Sequence, residues 1–279
     1  MSAPQGHMLN GTLEIVNPAA PRGKVKHALF DFDGTLSLVR EGWQGVMIPY
    51  FIEEVMATPD HEDEATVADV VRDFVERLTG KQTIYQCIAL AEAIEKRGGK
   101  PLDPLEYKHE YLRRLWTRIE HRVAGLKDGS IDPETMLLRG SRALLEALKA
   151  RGVTMYVASG TDMPYVLDES GAVQVAKYFG DKIYGALDNY KDMSKKMIIE
   201  RILKENDLHG AELVVFGDGY VEIEDGKGVG GLAIGVASDE RNPGGLDEWK
   251  RNRLIQAGAD AIIRDYADLD VILSFLFEE

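Results

Sequence analysis

Five short, nearly unbroken apolar runs punctuate the chain: Val25–Phe30, Val153–Ala158, Leu213–Phe216, Leu232–Ala237 and the shorter Asp260–Ile263. Runs of this length without polar alternation predict strands buried on both faces, which belong to parallel sheets. Helical stripes fall between them. Ser141–Ala150 places Leu144, Leu145 and Leu148 on one side, with Gly152 as a stop. Residues 194–206 repeat the pattern with Ile198, Ile199, Ile202 and Leu203. Strand–helix alternation of this kind predicts a doubly wound α/β domain with a parallel sheet.

Between Leu38 and about Arg139 the rhythm changes. The periodicity there is helical, through Val67, Val71, Phe74 and Leu78, then Ile84, Cys87, Ala91 and Ile94, and on through Tyr107, Tyr111 and Leu115. Breaks fall at Thr58-Pro59-Asp60, Thr79-Gly80-Lys81, Gly98–Pro101 and Asp128-Gly129-Ser130. The expected organisation is an α/β core over residues 1–37 and 139–279, with an all-α insert over 38–138. An insert leaving straight after the first strand would stand over the carboxyl edge of the sheet as a cap.

Composition narrows the setting. A chain of 279 residues, 44% hydrophobic, can bury a full core. No apolar stretch is long enough to span a bilayer, and residues 1–23 lack the apolar centre of a secretory signal. Cys87 is the only cysteine, which suits a reducing cytoplasm. The six histidines have no zinc-type spacing. A formal charge of -14 argues against nucleic-acid or anionic-membrane partners. Any phosphate must therefore be held locally, by a few placed cations and N–H groups.

The strand ends carry the candidate chemistry. The first run stops at Asp31-Phe32-Asp33-Gly34-Thr35-Leu36-Ser37, two carboxylates spaced i, i+2 and followed at once by a turn. Side chains two apart on a strand share a face, and ligands of open α/β sheets bind at the carboxyl end. Two carboxylates held so close call for a cation, and Mg²⁺ suits an all-oxygen site. The second run ends in Ser159-Gly160-Thr161, whose hydroxyl and N–H groups suit phosphate oxygens. Lys195 and Lys196 open the helix capped by Ser194, and the third run ends in Gly217-Asp218-Gly219 with Glu222 four residues on. Each signal alone is also an ordinary turn or a solvated helix end. Counting from Lys195, the apolar positions at +3, +4, +7 and +8 turn that lysine toward the sheet and Lys196 toward solvent.

Taken in order, Asp-Phe-Asp-Gly-Thr-Leu-Ser, then Ser159, then a lysine opening a helix, then Gly-Asp-Gly-x-x-Glu, the chain resembles the haloacid dehalogenase superfamily of phosphohydrolases. Within it the match is to the subgroup with a helical cap, which includes phosphoglycolate phosphatases and β-phosphoglucomutases. The resemblance covers all but about the first two dozen residues. It implies Asp31 as nucleophile, Asp33 as general acid/base, and Lys195 with Ser159, Gly160 and Thr35 on the phosphate. It implies Mg²⁺ held by Asp31, Asp33, Asp218 and Glu222. The family usually has an aspartate where Glu222 stands, and Glu224 and Asp225 are rivals for its place. The expected activity is Mg²⁺-dependent hydrolysis of a small phosphorylated metabolite. A sugar phosphomutase and a non-catalytic phosphate-binding protein are the alternatives. An acidic Asp33 speaks against the dehalogenase branch, since a halide needs no proton. Oligomeric state is left open. Arg40, Lys81 and Gln82 are the candidates in the insert for reading the leaving group.

Overall fold

Each of the five apolar runs becomes a parallel strand of one sheet in the computed structural model, which describes residues 6–9, 11–189 and 194–278. In chain order the strands are β1 (His7–Leu9), β2 (Leu13–Ile15), β3 (His27–Phe30), β4 (Thr154–Asp162), β5 (Ile183–Ala186), β6 (Leu213–Gly217), β7 (Leu232–Val236) and β8 (Ala261–Ile263). They lie side by side as β1-β2-β8-β7-β6-β3-β4-β5. β3 is thus central, with β6 on one side and β4 on the other. All four residues of β3 and all five of β6 are buried, as strands covered on both faces must be.

The helices α5 (Ser141–Ala150), α6 (Met163–Ala172), α7 (Lys195–Glu205), α8 (Tyr220–Gly228), α9 (Glu248–Gln256) and α10 (Leu269–Phe277) belong with this sheet. The stripe predicted on α7 packs as expected: Ile198, Ile199 and Ile202 cluster with Leu29, Tyr156 and Val215. Ile223 of α8 and Leu254 of α9 cluster with Ala233 and Ile262. The architecture is a doubly wound α/β core of the expected class.

Three strands were not anticipated. β5 is a four-residue edge strand containing Gly185, too short for an apolar run to announce it. β1 and β2 form an antiparallel hairpin that adds to β8. The second expected strand also runs further than its apolar core. β4 continues through Ser159, Gly160 and Thr161 to Asp162, with a register shift against β5 between Ala158 and Asp162. The polar tail is strand rather than turn.

The chain divides into two compact units, Met1–Glu41 with Gly125–Glu279, and Gly42–Ala124. The second is built from α1 (Gln44–Met56), α2 (Glu64–Leu78), α3 (Thr83–Glu95) and most of α4 (Pro104–Asp128). Phe51 stacks on Phe74 in its core, at 6.0 Å between rings. Asp63 caps α2 by accepting the Thr66 N–H. This unit falls inside the expected insert of 38–138, and hydrogen bonds join the segments on its two flanks to each other. Leu38 N–H donates to Met136 O and Leu138 N–H to Leu36 O, both at 2.9 Å. Lys127 pairs with Asp168 of α6.

The hairpin is held by a buried ion pair as well as by its ladder. Glu14 of β2 receives Arg251 Nε and Nη2 of α9, each at 2.6 Å, and the Gly6 N–H at 2.7 Å. The Arg251 guanidinium holds the Glu14 carboxyl below its usual range, against the opposing effect of burial. Breaking one partner of a buried pair strands the other. We expect Glu14→Ala to cost about 3 kcal/mol in urea unfolding. A loss no larger than that of an exposed substitution would mean the hairpin contributes little to the folded state.

Candidate active site

The register of the sheet brings two of the sequence signals together. Phe30 lies opposite Phe216, so Asp31 leaves β3 beside the point where Gly217-Asp218 leaves β6. Asp31 N–H donates to Phe216 O at 2.9 Å. Two glycines permit the close approach. Gly34 has φ +74°, and a Cβ there would collide with Asp218 Oδ2. A Cβ on Gly217 would strike the Glu222 side chain. Thr35, expected at the phosphate, is completely buried, and its hydroxyl accepts the Asp218 N–H at 3.0 Å. It ties the two loops together. Ser238 Oγ donates to Gly34 O at 2.9 Å and fixes the turn from the side of β7.

Lys195 lies at the centre. Ser194 accepts the Met197 N–H and starts α7, so the next residue faces the sheet as its periodicity predicts. Its Nζ is 3.0 Å from Asp31 Oδ2 and 2.9 Å from Glu222 Oε2. Burial alone would lower the affinity of Lys195 for its proton, but Asp31 and Glu222 together outweigh it and hold the ammonium charged. Lys196 is exposed and lies 4.0 Å from Glu200 on its own helix. Burial pushes the Asp31 carboxyl well up; Lys195 opposes that shift, while Glu222 and Asp218 add to it.

Asp33 is turned toward β4. Its Oδ2 accepts Thr161 Oγ1 at 2.8 Å and Ser159 Oγ at 3.4 Å, and Thr161 N–H donates back to Ser159 Oγ at 3.0 Å. Thr161 was overlooked as a site residue, although the two-residue period of a strand already places it on the face of Ser159. Gly160 lies between them, half-buried. Burial raises the Asp33 carboxyl, and Arg40 opposes it. Arg40, a candidate in the insert for reading the leaving group, does not belong to the helical unit. It is buried in the sheet unit, where its Nε and Nη2 donate to Glu169 of α6 at 2.7–3.1 Å. Lys81 and Gln82 fall between α2 and α3 of the helical unit, with Lys81 Nζ 5.6 Å from the Tyr85 ring centre.

Two further charged residues had no sequence signal. Lys250 of α9 sits in the mixed run Trp249-Lys250-Arg251-Asn252-Arg253, which reads as a solvated helix face. Its Nζ instead reaches Asp218 Oδ2 at 2.9 Å and Glu240 Oε1 at 2.7 Å. Burial would depress the Lys250 ammonium, but these two carboxylates raise it overall.

Oxygens of Asp31, Asp218 and Glu222 lie within 4.8 Å of one another. An all-carboxylate donor set of this size fits a hard divalent cation. Glu222 is already committed on both oxygens, to Lys195 and to the Gly219 N–H at 2.8 Å. Glu224 is exposed and Asp225 half-buried, and neither belongs to this cluster.

The sequence matches the haloacid dehalogenase-like hydrolases over residues 25–230, well over half the chain. The chain belongs to that family. Among solved structures, the hydrolase resembles a predicted phosphoglycolate phosphatase from Haemophilus somnus 129PT, with 17% identity and a TM-score of 0.57. That match covers 89% of this chain and 98% of the other. CbbY from Rhodobacter sphaeroides, solved with phosphate, is 22% identical with a TM-score of 0.55, covering 88% and 96%. A putative β-phosphoglucomutase from Thermotoga maritima is 20% identical with a TM-score of 0.52, covering 90% and 100%. At these identities the likeness is one of fold. No curated protein matches the chain.

The contrast between the two lysines of the hydrolase makes a direct test. Lys195→Ala removes the charge between Asp31 and Glu222, and we expect turnover to fall at least about 100-fold, the scale of losing one electrostatic stabiliser. Lys196→Ala should stay within about twofold, as surface changes do. Steady-state kinetics of both variants check the ranking.

Proposed function

We propose that this hydrolase is a Mg²⁺-dependent phosphomonoesterase that works through an aspartyl-phosphate on Asp31 and acts on a small phosphorylated metabolite. The observation that carries the reading is the convergence of Asp31, Lys195 and Asp218 at the carboxyl ends of β3 and β6. Asp33 stands beside them, held by two hydroxyls.

In this reading an Asp31 carboxylate oxygen attacks phosphorus in line, and the ester P–O bond breaks. Asp33 gives its proton to the departing alkoxide. Water then attacks the phosphorus of the aspartyl-phosphate while Asp33 takes the water's proton, releasing phosphate and restoring Asp31. Lys195, within reach of Asp31, neutralises charge on the transferring group, and Ser159 with the Gly160 backbone lines the same edge. Asp31 and Asp218 would hold the metal, with the Asp33 segment and Glu222 around it. Bound Mg²⁺ supplies charge neutralisation for a phosphoryl dianion beside so many carboxylates. The helical unit, with Lys81 and Gln82 among its polar groups, is the proposed source of substrate selectivity.

Asp31→Asn keeps the shape of the side chain and removes the nucleophile. Phosphate release should become undetectable, while the melting temperature stays near that of the parent. Near-normal turnover in that variant would end the covalent mechanism. Stoichiometric free phosphate is the expected product. Isomerised sugar phosphate without it would point to a mutase on the same residues.

The two acidic residues after β6 should separate in a Mg²⁺ titration followed by thermal shift. Asp218→Ala is expected to weaken the metal-dependent stabilisation more than Glu222→Ala, because Glu222 spends both oxygens on Lys195 and Gly219. Equal losses would make Glu222 a direct ligand, and full activity in EDTA would remove the metal from the reaction.

A further inference from the structure

Glu169 has no part in the chemistry above, yet it is a fully buried carboxylate in the sheet unit, and burial of such a group is expensive unless its partners are well placed. Its partner is Arg40. Arg40 Nε donates to both Glu169 oxygens, at 3.1 and 3.0 Å, and Nη2 donates to Oε1 at 2.7 Å. The Tyr165 ring lies beneath the guanidinium, with Cζ 5.3 Å from its centre. These two contacts come from α6, which follows directly from the Ser159–Thr161 end of β4.

The position this gives Arg40 is unusual. Its Nε is 3.9 Å from Asp33 Oδ1, close enough for charge attraction but too far for a hydrogen bond. The single N–H on Nε is already directed at Glu169. Asp33 is therefore asymmetric: Thr161 and Ser159 hold Oδ2, while the buried Oδ1 accepts no hydrogen bond from the described residues. An arginine free to move at this range would close on the carboxylate and form a charge-assisted hydrogen bond with it. An Asp33 clamped in that way would be held as the carboxylate, since a hydrogen bond from a guanidinium favours the charged form over the proton-bearing acid.

We propose that Glu169 is a positioning residue for proton transfer. It restrains Arg40, so that the guanidinium lends its charge to Asp33 while leaving Oδ1 open to the leaving group. The inference rests on the proposed role of Asp33 as general acid, and the experiment separates the two.

The readout is the dependence of kcat/KM on leaving-group basicity, across substituted phenyl phosphates from p-nitrophenyl to unsubstituted phenyl, with Mg²⁺ present, because kcat can report hydrolysis of the aspartyl-phosphate that all these substrates share. A good leaving group needs little help from an acid, whereas a poor one needs the proton. Glu169→Ala removes this hold and lets Arg40 close on Asp33, so phenyl phosphate should lose at least about tenfold more in kcat/KM than p-nitrophenyl phosphate. Glu169→Gln keeps the shape with a weaker hold and should steepen the dependence less; it carries the test if the alanine variant does not fold. The double variant Arg40→Met with Glu169→Leu removes both clamp and orphan charge, and should return the dependence toward that of the parent. Asp33→Asn is the reference and should be the steepest of all. Parallel losses across the series in both single Glu169 variants, with a steep Asp33→Asn, would overturn the role of Glu169 alone. A flat response in Asp33→Asn itself would overturn the general-acid reading beneath it.

Discussion

The ammonium of Lys195, held between Asp31 and Glu222, is the contact on which the arrangement of this site depends. Parallel strands that end level with one another deliver their terminal carboxylates to the same few ångströms, and like charges there repel. With Asp31, Asp218 and Glu222 gathered within 4.8 Å, some of them must protonate, splay apart or meet a cation. Lys195 supplies a cation that is part of the chain. The cost of burying it is offset only because two carboxylates face it at hydrogen-bond distance.

The same solution recurs on either side. Lys250 bridges Asp218 and Glu240, and Arg40 stands between Asp33 and Glu169. Each aspartate of the site thus has a cation at its flank, and each cation is steadied from behind by a glutamate. The aspartates face inward from strand ends, whereas Glu222 and Glu169 sit on helices and Glu240 in the loop after β7. Division of labour of this kind lets the sheet set the spacing of the reactive groups and leaves their orientation to the elements packed around it.

What could be read from the chain alone follows from how local each signal is. Asp31, Asp33 and Asp218 were legible because a strand and its turn are contiguous in sequence. Lys195 was legible because one helical turn and its Ser194 cap set its direction. Thr161 was within reach of the same argument and was missed by treating the end of β4 as a turn. Glu169 lies 129 residues from Arg40 and Lys250 lies 32 from Asp218, while Glu240, 10 residues from Lys250, reaches the site only with it. Their surroundings are ordinary polar helix and loop, so tertiary packing alone brings them to the site. The short strands β1, β2 and β5 were invisible for a related reason: a three- or four-residue strand acquires its identity from the neighbour it pairs with.

The family match ends at residue 230, before β7 begins. A chain trimmed to those limits would keep every aspartate of the site and still be incomplete. It would lose the strand that satisfies the free backbone edge of β6, and Val214–Gly217 would become an open, apolar template for self-association. It would also lose α9, which sends Lys250 to Asp218 and the adjacent Arg251 to the hairpin residue Glu14. The smallest autonomous piece that preserves the sheet unit is therefore larger than the stretch by which the family is recognised. Fragments for crystallisation, fusion or display should be cut outside β1 and α10 rather than at the borders of the match.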